Sequence, residues 1–130
     1  MANYVFSTTT SGPLEDATER VIAALATEGF GVLTEIDVTT VMKTRLDKDL
    51  APYRILGACN PALSFRAITA EATIGALLPC NVVLREDAGQ IAIDFMDPHS
   101  VLDLAETDTV KAIADEVRDS LNRVKDLLDA

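Results

Sequence analysis

Cys59 and Cys80, the two cysteines of the chain, are its residues best suited to chemistry. Their settings mirror each other: Asn60 and Pro61 follow Cys59, while Cys80 lies between Pro79 and Asn81. Asn-Pro reads as a helix cap followed by a first-turn proline, which places Cys59 just before a predicted helix. At a helix N-terminus the dipole and unbonded backbone N–H groups favour the thiolate, the nucleophilic form. Cys80 opens a predicted strand 21 positions later. If Cys59 attacks and Cys80 resolves, the chain is a thiol-dependent redox or sulfur-handling protein. If both are small buried apolar residues, which free cysteine usually is, they are packing. The spacing fixes no distance between them, and a disulfide needs Cα atoms within about 7 Å. Structural zinc wants four ligands, and two Cys with one His in no C-x-x-C spacing do not supply them. No metal is expected, and no cofactor is indicated.

Asp94, Asp97 and His99 form a second cluster. A carboxylate beside an imidazole could act as an acid–base pair, although Asp-Pro-His-Ser is also ordinary turn chemistry, with Asp97 and Ser100 bonding local backbone. Glu35 and Asp37 alternate onto one predicted strand face, as a solvated pair or as partners for Arg54 or Arg85. The chain has no G-x-G-x-x-G, P-loop, G-x-S-x-G or H-E-x-x-H, which disfavours chemistries built on those motifs. The candidate site is therefore Cys59, Asn60, Pro61, Cys80, Asn81, Asp94 and His99, with Cys59 and Cys80 as candidate catalytic groups.

These residues must be positioned by a short list of elements. Asn3 to Thr9 is rich in β-branched and aromatic residues and predicts a strand. A helix follows from about Leu14 to Gly29, capped by Ser11 or Gly12, with Leu14, Ala17, Val21 and Leu25 inward. Phe30 to Val38 predicts a strand with Phe30, Val32, Thr34, Ile36 and Val38 on one face. Thr39-Thr40 then caps a shorter helix from Val41 to about Asp47, whose apolar side is Val41, Met42 and Leu46. Tyr53 to Cys59 is a strand, and a helix runs on through Leu63, Phe65, Ala67 and Ile68 until Gly75 breaks it. Asn81 to Glu86 and Gln90 to Met96 predict a hairpin turning at Ala88-Gly89, with Arg85 facing Ala92 and Val83 facing Asp94. Its core face would hold Val82, Leu84, Ile91, Ile93 and Phe95, and its half-apolar other face suggests a cover. The final helix, about Thr107 to Leu128, buries Val110, Ile113, Val117, Leu121, Val124 and Leu128. The expected fold is one α+β domain over residues 1–130: a two-layer sandwich with a mostly antiparallel sheet of about five strands and two long helices on one face. In it, residues 57–81 form a strand-helix-strand crossover.

The chain has 130 residues, 48% of them hydrophobic and 25% charged, values of an ordinary globular domain. Its net charge of −10 repels phosphate backbones and anionic headgroups, so nucleic acid and membrane are not expected partners. No basic and apolar leader opens the chain, and no uncharged run is long enough to span a bilayer, which suggests a cytoplasmic protein.

Three phrases carry a resemblance: GFGVLTEIDV (Gly29 to Val38), YRILGACNP (Tyr53 to Pro61) and LLPCNVVLRED (Leu77 to Asp87). In this order they resemble the prokaryotic family catalogued as domain of unknown function 302, over Val5 to about Leu104. The resemblance implies a compact two-layer domain with a β-α-β4-α-like core, often a dimer, and singles out Cys59, Asn60, Pro61, Pro79, Cys80 and Asn81. It implies no reaction, substrate or cofactor. The expected function is a homodimeric domain that binds a small molecule or protein partner near Cys59 and Cys80. Thiol-dependent redox work, or a purely structural or interaction role, stands as the alternative.

Overall fold

Five strands form one antiparallel sheet in the computed structural model, which describes residues 2–129. In chain order they are β1 (Val5–Thr10), β2 (Gly31–Asp37), β3 (Tyr53–Cys59), β4 (Cys80–Asp87) and β5 (Gln90–Met96), and in space they run β1-β5-β4-β3-β2. The helices are α1 (Leu14–Thr27), α2 (Val38–Leu46), α3 (Pro61–Ala70), α4 (Pro98–Val101) and α5 (Asp108–Asp129). The expected α+β sandwich is present. Leu56, Ala58, Val82, Leu84, Ile93 and Phe95 line the covered sheet face and meet α1 and α5, which bury Val21, Leu25, Val110, Ile113 and Leu121. The α5 stripe matches its sequence period, except that Leu128 is only half-buried.

The hairpin keeps its predicted register, with Arg85 opposite Ala92 and Val83 opposite Asp94. Ala88 and Gly89 both take positive φ, 51° and 80°, as a two-residue turn of matching twist requires. Because β3 and β4 are antiparallel neighbours, α3 joins adjacent strands, and residues 57–81 are not a crossover.

Four local readings are corrected. First, β2 carries a bulge: Val32 lies opposite Ala58 but Thr34 lies opposite Gly57, so Leu33 is an extra residue. A single extra residue reverses the alternation beyond it, so Glu35 and Asp37 turn toward the covered side and Thr34 and Ile36 away from it. Glu35 then stands 3.6 Å from Arg54, which also binds Glu15 of α1 at 2.5 Å. Second, α2 begins earlier than expected, because the Asp37 carboxylate accepts the Thr40 N–H at 3.0 Å and is the cap. Third, α1 starts after Pro13 with no side-chain cap, so neither Ser11 nor Gly12 serves.

Fourth, α3 stops at Ala70, before Gly75, and a 3-10 turn over Ala72–Leu77 follows. At the break the Glu71 backbone is extended (φ −149°, ψ 93°), and its carboxylate accepts the N–H groups of Glu106 and Thr107, just before α5. The expected apolar side of α3 is also shifted. Ala67 is buried and Leu63 half-buried, but Phe65 is 72% exposed and Ile68 47%.

Candidate functional site

The seat of α3 is a cap made by Asn60. Its Oδ1 accepts the Leu63 N–H at 3.3 Å, and its Nδ2 donates to the Glu28 carbonyl at the end of α1, 3.4 Å away. One amide thus fixes the N-terminus of α3 against the C-terminus of α1. Pro61 follows at the first helical position, where its missing N–H costs nothing, and it is exposed. Between α3 and the sheet lies a cavity of about 20 Å³, room for one water. Cys59, Asn60 and Ser64 are among the residues that line it, as are Cys80, Leu102 and Ile113. Cys59, Asn60 and Cys80 therefore meet at this cleft, whereas Pro61, Pro79 and Asn81 do not line it.

The two thiols are unlike. Cys59 is half-buried, with its Sγ 3.1 Å from Ser64 Oγ. Cys80 is 5% exposed, its sulfur is free, and it has no hydrogen-bond partner among the described residues. Burial, with a smaller contribution from the neighbouring Cys59, pushes the Cys80 thiol up to about 12. At pH 7 it is therefore held as the neutral thiol. Iodoacetamide at pH 7 is expected to modify Cys59 in the folded protein and Cys80 only after denaturant is added, as read by peptide mass spectrometry. Equal labelling of both in the native state would contradict the burial of Cys80.

The remaining candidates lie elsewhere. Asn81 and Asp94 come together on the open sheet face, in a pocket of about 200 Å³ with Tyr4, Val5, Val83 and Met96. Asp94 is already engaged: Arg85 Nε donates to one oxygen at 2.8 Å and Ser7 Oγ to the other at 2.7 Å. His99 does not meet Asp94. Its Nδ1 is 2.9 Å from Asp115 of α5, with both side chains about two-thirds exposed (65% and 66%). Asp97 is 7% exposed and accepts from the His99 backbone N–H at 2.9 Å and from Arg118 at 3.2 Å, so it caps α4. Ser100 bonds the Asn3 carbonyl at 2.8 Å, a partner far away in sequence. The Asp94–Asp97–His99 cluster is thus dispersed. Among the described residues no group of three or more His, Cys, Asp or Glu could hold a metal ion.

Sequence reasoning did not place Ser64, Ile113 or Val117 at the site. Ser64 stands beside Cys59 because it falls in the first turn of the capped helix, a spacing legible once Asn60 is taken as the cap. Ile113 and Val117 of α5 read correctly as core, but which strand end they would face carries no local signal.

No helix of the described residues is long and apolar enough to cross a membrane. No curated protein matches the chain. A crystal structure described as an uncharacterized conserved protein DUF302 from Bacillus stearothermophilus superposes with a TM-score of 0.86 at 26% identity, covering 98% of each chain. The family model described as "Domain of unknown function DUF302" matches residues 6–128, and the chain belongs to that family.

Proposed function

We propose that the chain is a binding domain whose ligand is taken up in the cleft beneath α3. One observation carries this reading: Cys59, Asn60 and Cys80 converge on a small apolar cavity whose cover, α3, has a single buried residue, Ala67. A cover seated so lightly has few contacts to lose when a ligand enters. The thiol-redox alternative is less well supported, because a resolving Cys80 would have to ionise in an apolar site. Amide chemical-shift mapping during a fragment screen tests the binding reading. Shifts are expected at Cys59 to Ala67 and at Cys80; a screen whose hits all map outside the cleft would overturn it.

We also propose that the domain works as a homodimer. None of the nine residues of α2 is buried, and Leu33, Ile36, Val41 and Leu46 are 67%, 45%, 41% and 61% exposed along one continuous stretch of chain. Exposed large apolar side chains grouped on neighbouring elements are a common mark of an interface. Light scattering at micromolar concentration is expected to give twice the chain mass, falling to one chain mass in Ile36→Asp. A monomeric wild type would end this proposal.

A further inference from the structure

The cleft suits an ion better than an organic molecule, a refinement that rests on the cleft being a ligand site. Its volume, about 20 Å³, is that of one water, whereas pockets for organic ligands run to roughly 300–1,000 Å³. Both cysteines line it, and no His, Asp or Glu does. The Cys80 thiol stands out for a second reason. Every buried side-chain nitrogen and oxygen among the described residues has a hydrogen-bond partner, but this sulfur, 5% exposed, has none.

We infer that the cleft is a site for one soft, thiophilic monovalent cation of the copper(I) class, held between Cys59 and Cys80. Hard cations require oxygen ligands, and zinc requires four donors that this cleft lacks. Thiolate sulfur selects copper(I), which is satisfied by two such ligands in apolar surroundings. Binding is an exchange without electron transfer: two S–H bonds break, two sulfur–copper bonds form, and two protons leave to solvent. The resulting site carries one negative charge. The N-terminus of α3 lies beside Cys59 and favours that sign, and the Ser64 hydroxyl, 3.1 Å from the Cys59 sulfur, can donate to it once the thiol proton is gone.

The test is anaerobic competition between the reduced protein and a chromogenic copper(I) chelator, bathocuproine disulfonate. One copper(I) per chain is expected to transfer, with a new sulfur-to-copper absorption in the ultraviolet. Cys59→Ser and Cys80→Ala are each expected to weaken binding by about 100-fold or more, with circular dichroism checking that each still folds. Cys59 is only half-buried, so its variant keeps the test informative should the Cys80 variant unfold. No transfer of copper, or undiminished binding in a folded variant, overturns the inference. If copper is refused while fragments still shift the cleft amides, the ion is excluded and the binding reading stands. If neither registers, both fall.

Discussion

Phe95→Ala is expected to cost about 3–5 kcal/mol of stability, a large share of the roughly 5–15 kcal/mol that holds a domain of this size together. Phe95 is fully buried and sits opposite Phe6 on β1 and Val82 on β4. Its ring stacks on Phe6 with centroids 5.4 Å apart and planes 11° from parallel. The two neighbouring strands, β1 and β4, fix walls of the space the ring would leave, so collapse around it is restricted, and the Phe6 ring loses its partner as well. Urea unfolding followed by circular dichroism should show a lower midpoint at unchanged slope. A loss below about 1 kcal/mol would mean that the β1–β5 edge repacks freely. Phe65→Ala is the matched control: that ring is 72% exposed, and its removal is expected to change stability by no more than about 0.5 kcal/mol.

The contrast between those two phenylalanines shows what was legible in the sequence. Phe95 sits in a strand whose alternation, turn and partner all agree, so its face follows from local pattern and the register of the hairpin confirms it. α5 was equally plain, because six apolar positions repeat at the helical period over 22 residues. Phe65 lies in a ten-residue helix where Phe65, Ile68, Leu63 and Ala67 are all apolar, and periodicity cannot choose between two candidate faces. The choice is made by tertiary contacts: Asn60 ties the start of α3 to α1, and Glu71 ties its end to α5. Neither partner is close in sequence.

β2 failed for a related reason. Its alternation is clean, and nothing in Gly31-Val32-Leu33-Thr34 announces the bulge. Arg54 supplies a reason for it: with the phase reversed, Glu35 reaches the guanidinium on the covered side, and the Arg54 charge is held up by Glu15, Glu35 and Asp37 against partial burial. The site divided along the same line. Cys59, Asn60 and Cys80 are brought together by the pairing of β3 with β4, which places Ala58 opposite Cys80. Asp94 and His99 looked like one cluster because they are near in sequence. They part because strand β5 ends at Met96 and α4 turns the chain away, leaving each with a different partner.

Gly57→Ala is expected to disturb both the sheet and the cleft. Gly57 lies in the middle of β3, opposite Thr34 on β2 and Asn81 on β4. A Cβ built there would stand 2.9 Å from Pro79 Cγ, and the Thr34 hydroxyl would be nearer still. The glycine is therefore required by close approach, which a strand interior otherwise penalises. Thr34 is exposed and its hydroxyl can rotate away. The Pro79 ring cannot, so the new methyl group must push the chain at Pro79, the residue that leads directly into Cys80. The cost is expected to be about 1–3 kcal/mol, the usual range for an added methyl in a packed site. A purely local defect would stop there. Here the strain is transmitted to the buried thiol, so Cys80 in the folded variant is expected to be alkylated measurably faster than in the parent, while Cys59 is unchanged. Unfolding in urea and timed labelling with iodoacetamide at pH 7 read the two effects separately. An unaltered midpoint together with unaltered Cys80 labelling would show that Thr34 alone yields, and that Pro79 does not couple the middle of β3 to the cleft.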